Sequence, residues 1–159
     1  MIPARGSRWV WIRLAGAIVA SVSALSACSA KSAGPSGGAY GASTSELAVR
    51  GFLDGANAND YTRMSDLFGT DRGPAVKEFG VTDVERRMMF LASILKHGGY
   101  ELQQANLAQL GPERVRWEAR MSGTRKGTVV VPVVTVPDKS GRWFVERLNL
   151  DALTASVGS

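Results

Sequence analysis

The hydrophobic period of this chain changes once, at Gly98-Gly99, and that change restricts the fold more than any other feature of the sequence. Before it, apolar residues recur at helical spacing. Ser43-Thr44-Ser45-Glu46 fits the S-x-x-E capping box, and Val49, Phe52, Leu53 and Ala56 follow at i, i+3, i+4 and i+7. A helix is predicted from about Ser45 to Ala56, stopping at Asn57-Ala58-Asn59. Asp60 is placed to cap a shorter second helix with Tyr61, Met64, Leu67 and Phe68 on its inner side and Gly69 at its end. Residues 69–74 read as a loop, and Ala75 to Phe79 as one helical turn. Thr82-Asp83-Val84-Glu85 fits a second capping box, and Val84, Met88, Leu91, Ala92 and Leu95 predict a helix from Asp83 to about Lys96.

After Gly99 the period is two. Tyr100, Leu102 and Gln104 begin a strand expected to end near Leu107, followed by a turn at Gly111-Pro112. Val115, Trp117, Ala119 and Met121 then alternate with Arg114, Arg116, Glu118 and Arg120, giving a strand with one apolar and one charged face. Thr128 to Val136 is a third strand. Pro132 within it cannot donate to a ladder, which predicts an edge position or a bulge. Asp138-Lys139-Ser140-Gly141 is a hairpin turn, Arg142 to Leu150 the last strand, and the residues from Ala152 on are expected to fray. Helices followed by a four-stranded antiparallel meander define an α+β domain over residues 44–152, in which the amphipathic helices cover the apolar sheet face.

The segment ahead of this domain has a different character. Residues 1–13 are basic, and residues 14–25 form an apolar stretch too short for a comfortable transmembrane helix, which needs about 20 apolar residues. Leu25-Ser26-Ala27-Cys28 resembles the bacterial lipobox. The resemblance implies a signal peptide over residues 1–27, cleavage between Ala27 and Cys28, and a diacylglyceryl group on the Cys28 thiol. Two or three acyl chains would make the anchor durable. Residues 28–43 are rich in Gly, Ser and Ala and read as a tether that holds the domain roughly 20 Å from the bilayer. Ser29 stands where an Asp would resemble an inner-membrane retention signal, so in a host with two membranes the outer one is expected.

The formal charge of +5 belongs mostly to that leader. Arg5, Arg8 and Arg13 lie before Cys28 with no acidic residue among them, leaving 16 basic against 14 acidic residues, a net charge of +2, in the mature chain. No long like-charge run remains, so nucleic acid is not an expected partner. With one cysteine there is no internal disulfide, and with one histidine no metal-ligating constellation or Cys-His pair. No cofactor is predicted.

Three packing motifs carry a family resemblance: Val49-Arg50-Gly51-Phe52-Leu53, Asn59-Asp60-Tyr61-x-x-Met64-x-x-Leu67-Phe68, and Gly141-Arg142-Trp143-Phe144-Val145. Over about residues 44–152 the chain resembles the nuclear transport factor 2-like superfamily, whose fold is a cone with helices packed on a curved four-stranded antiparallel sheet. The early strand usual between the second and third helices of that fold is not evident in the sequence. Members include isomerases, dehydratases, ligand binders and interaction modules, so the fold leaves function open.

An enzyme similar to ketosteroid isomerase would need an Asp base in an apolar pocket with hydroxyl or carboxyl donors. Asp54 and Asp60 are the acidic candidates and Tyr61 and Tyr100 the donors, but Asp54 lies near the polar side of its helix and Asp60 is explained as a cap. No catalytic residue is therefore assigned. His97 is expected at a helix C-terminus, where positive charge is favourable. Gly123-Thr124-Arg125-Lys126-Gly127 reads as a solvated basic turn. Arg114, Arg116 and Arg120 form a solvated sheet face or a contact for an acidic partner or lipid head groups. Trp117, Trp143, Met88 and Met89 are expected in the core, with Tyr61, Trp117 and Trp143 as candidates to line a small apolar pocket. The expectation is a membrane-tethered lipoprotein on the extracytoplasmic side of the cell envelope. Its domain would be non-enzymatic and bind an envelope protein or a small apolar ligand. An isomerase-like pocket enzyme and a purely structural domain are the alternatives.

Overall fold

The computed structural model describes residues 40–105 and 113–154. The signal peptide, its cleavage site, Cys28, the expected end of the first strand near Leu107 and the Gly111-Pro112 turn lie outside the described residues.

The first helix, α1, runs Ser45–Ala58. Its cap is Thr44 rather than Ser43: the Thr44 hydroxyl accepts from the Leu47 N–H at 3.2 Å, so the capping frame sits one residue later than the S-x-x-E match. The freed Glu46 pairs with Arg50 one turn on. The helix ends two residues beyond Ala56, where Asn59 adopts a left-handed conformation, φ 57°. Asp60 caps α2 (Tyr61–Leu67), accepting from the Arg63 N–H at 3.0 Å. The two helices meet closely at Gly51, where a Cβ would lie 2.7 Å from Leu67 Cδ1.

The expected loop at residues 69–74 is a small antiparallel ladder of β1 (Gly69–Thr70) and β2 (Gly73–Pro74). Phe68, just ahead of it, bridges Val145 in parallel. Strands of two residues have no period to read, so this ladder was invisible in the sequence. After α3 (Val76–Phe79), α4 runs Val81–Ile94. Its N-cap is Gly80 and no side chain caps it, so the second capping box is not used. Thr82 is already inside the helix, and Glu85 instead accepts from the Thr62 hydroxyl of α2 at 3.0 Å.

The main sheet comprises β3 (Gly99–Gln104), β4 (Val115–Thr124), β5 (Gly127–Pro137) and β6 (Trp143–Leu148), antiparallel in sequence order. The architecture is therefore α+β, with helices against a four-stranded antiparallel sheet. Pro132 does not place β5 at an edge, since β5 lies between β4 and β6. The ladder to β6 ends at the Val133–Leu148 pair, one step short of Pro132, so its missing donor faces the side where pairing has stopped. The Pro132 carbonyl still accepts from Asn149 N–H at 2.9 Å. A short helix, α5 (Asp151–Thr154), follows where fraying was expected, and Leu153 packs against the core.

Phe52, Leu53, Met64, Met88, Leu95, Met121, Val131 and Val133 are fully buried between helices and sheet, with Trp117 beside them. Phe144 is buried on the other side of β6 from Val145, beneath Gly41 and Gly69. The start of the domain is accordingly earlier than residue 44. Ala42 and Trp143 exchange both backbone hydrogen bonds, at 2.8 and 2.9 Å, and the Gly41 N–H donates to Asp66 O at 2.8 Å. The Arg142 guanidinium donates to the carbonyls of Tyr40 and Gly41. Residues 40–42, assigned to the tether on composition, are part of the folded unit.

Candidate functional site

Of the expected inner stripe, Val84, Met88, Ala92 and the C-cap Leu95 are buried, while Leu91 is only partly buried. Met89, expected in the core, is instead 54% exposed, and its neighbour Phe90 is 65% exposed. The physical reason is the helical period. Met89 and Phe90 both fall outside the 84-88-92-95 stripe, with Phe90 turned about 180° from it. Phe79, the last residue of α3, and Val81, the first of α4, are exposed as well. Beside α4 runs a groove of about 420 Å³ lined by Phe68, Arg86, Arg87, Met88, Phe90 and Leu91. Its floor is apolar, and its charges stand at the rim. Arg86 pairs with Asp83 at 3.2 Å, and the Arg87 guanidinium lies 4.9 Å from the centre of the Phe79 ring. Clustered exposed apolar side chains of this size mark a binding surface more often than isolated ones do.

The polar candidates lie elsewhere. Tyr100, on β3, donates its hydroxyl to Asp54 Oδ1 at 2.9 Å, so two separately considered residues are brought together. Partial burial, then the Asp54 carboxylate, pushes the Tyr100 hydroxyl up to about 12. Asp54 is exposed, and neither described cavity opens on this pair. His97 stands edge-on to Tyr100, ring centres 5.3 Å apart, and neither ring nitrogen has a hydrogen-bond partner. It lies beyond α4, which ends at Ile94, rather than in the helix's last turn. Asp60 is the cap it was expected to be, and Tyr61 beside it is half-buried.

Trp117 and Trp143 have structural partners of their own. The Trp117 indole N–H donates to Ser45 Oγ at 2.7 Å, which in turn bonds Thr135 Oγ1 at 2.6 Å. Trp143 clasps Ala42 through its backbone. Tyr61, Trp117 and Trp143 line neither described cavity. On the outer sheet face, Arg114 is engaged in a two-pronged pair with Glu146, at 2.8 and 2.9 Å. The pair raises the Arg114 pKa and lowers that of Glu146. A bulge in β6 places the Glu146 side chain there, between the Thr135–Val145 and Val134–Arg147 pairs. Arg116 and Arg147 flank a smaller cavity of about 220 Å³ with Pro132, Val134, Leu148 and Asn149, and Arg120 is exposed. The basic loop at Gly123–Gly127 is a self-satisfied turn: Thr124 Oγ1 accepts from the Lys126 N–H and donates to Gly127 O. Among the described residues, no group of three His, Cys, Asp or Glu side chains is placed to hold a metal ion.

The α4 groove is thus the strongest candidate site. The sequence contained its signal, since Phe79, Met89 and Phe90 fit no buried stripe, but exposure becomes visible only once the covered face is known. No protein-family model matches the chain, and no curated protein matches it.

Proposed function

We propose that this chain is a membrane-tethered lipoprotein on the extracytoplasmic side of a bacterial cell envelope, anchored through lipid on Cys28, whose domain works by binding rather than catalysis. The observation that carries the binding role is the apolar α4 groove with its arginine rim. The lipobox-like Leu25-Ser26-Ala27-Cys28 supports the anchor. A nuclear transport factor 2-like cone is the finer fold we infer. It is supported by the helix-then-sheet order and by β1, which supplies an early strand between the second and third long helical segments. A pocket enzyme similar to ketosteroid isomerase is the second reading. The Asp54–Tyr100 hydrogen bond favours it, and the exposure of Asp54 counts against it.

Two measurements test the proposal. Radiolabelled fatty acid should label the wild type and not Cys28→Ser; equal labelling of both refutes the anchor. An environment-sensitive apolar dye should bind the wild type and lose most of its affinity for Phe90→Glu; unchanged binding removes the groove as the site.

A further inference from the structure

We propose that the surface covered by the α4 groove and its exposed apolar rim is the anionic face of the membrane that holds the anchor, so that the domain lies down on the bilayer. This rests on the tethered-lipoprotein reading and names the partner of the same site.

Three observations point to a bilayer rather than a soluble ligand. The first is where the chain enters the domain. The Tyr40 ring lies 5.6 Å from Lys77 Nζ on α3, and α3 leads directly into Phe79 and the start of α4. Residues 28–40 can span no more than about 40 Å, so an anchor at Cys28 keeps this side of the domain within reach of the surface. The second is shape and chemistry. Phe79 at the end of α3 and Val81, Met89 and Phe90 on α4 are 45–65% exposed, a set of apolar side chains free to enter the head-group boundary. The third is charge. Asp83 is paired with Arg86 and Glu78 with Arg72, so Glu85, which accepts only from the neutral Thr62 hydroxyl, is the one carboxylate of α3 and α4 without an ion-pair partner among the described residues. Lys77 and Arg87 rest on aromatic rings and, among the described residues, have no acidic partner within 4 Å. Two unneutralised cations beside an apolar ridge suit phosphate head groups. Tethering makes the encounter intramolecular, with an effective concentration on the order of millimolar, so weak intrinsic affinity suffices.

The test uses the full lipidated chain reconstituted in vesicles of phosphatidylcholine with and without phosphatidylglycerol. Once Cys28 carries lipid, a cysteine introduced by Phe90→Cys is the sole free thiol and takes a fluorophore; Arg120→Cys, on the outer sheet face, is the control. Brominated lipid should quench the probe at position 90 several-fold more than at position 120, and more strongly with phosphatidylglycerol. Adding Lys77→Glu and Arg87→Glu should abolish that lipid dependence. Equal quenching at the two positions, on protein that carries labelled fatty acid, overturns the docking and leaves the anchor standing. Shielding of position 90 from aqueous iodide without lipid quenching also overturns it, in favour of a protein partner. Absence of labelled fatty acid overturns the anchor and the docking together.

Discussion

Trp117 and Ser45 are joined by a buried 2.7 Å hydrogen bond that ties the second strand of the main sheet to the first turn of α1. The Ser45 hydroxyl also meets Thr135 Oγ1 at 2.6 Å, and Thr135 donates to Val115 O at 3.2 Å. The chain of bonds lets polar atoms sit in the core without an unpaired donor.

Ser45→Ala should therefore destabilise the domain by about 1–3 kcal/mol, because it leaves the Trp117 indole N–H buried without an acceptor. Urea unfolding of the variant checks the magnitude. A midpoint equal to wild type would show that the bond contributes nothing.

The Arg114–Glu146 pair gives a pH dependence of definite sign. Glu146 has a folded pKa below its ordinary value, chiefly through the Arg114 hydrogen bonds. Its contribution to stability is present above the unfolded carboxylate pKa and fades as pH falls through the depressed folded value. Glu146→Gln should flatten this acid limb of the stability curve. Thermal unfolding at a series of pH values below about 5 would detect it.

Tyr100 acts at the other end of the scale. Its pKa is raised to about 12 by burial and by Asp54. A raised folded value means the contribution is complete below the unfolded pKa near 10 and is lost as pH rises towards 12. In an absorbance titration of tyrosinate, Tyr100 should ionise after an unperturbed tyrosine. Tyr100→Phe should delete that last phase, and Asp54→Asn should move it to lower pH.

Gly41→Ala tests the attachment of the first described residues. Gly41 has φ +74°, and a Cβ there would lie 2.8 Å from Phe144 Cζ. Strain of about 1–3 kcal/mol is expected at such a position. It should appear as faster protease cleavage near Tyr40 than in wild type, with the helical circular dichroism signal retained.

The helix-to-strand switch at Gly98-Gly99 and the buried stripe of α4 were legible because each is a repeated local pattern. Asp60 was legible as a cap for the same reason. The Thr82–Glu85 box misled because four residues can match a motif whose backbone context is absent. Here Gly80 starts the helix earlier and Glu85 finds Thr62. Of the two placements Pro132 allows, the edge is not used and a register shift lies two residues on, at Val134–Thr135; which of the two occurs depends on β6, a property of another strand. Residues 40–42 looked like linker because Gly and Ala carry no sign of a distant Trp143. Met89 is exposed although a large apolar residue points to the core, because that rule runs in one direction only.

The Ala42–Trp143 clasp has a mechanical consequence. Any pull arriving from the residues before Tyr40 meets Arg142 and this pair of backbone hydrogen bonds before it meets α1. The load passes into β6 and the hairpin that leads to it. The packing of α1 against the sheet is thereby shielded, and under tension the clasp should part first while the core remains intact.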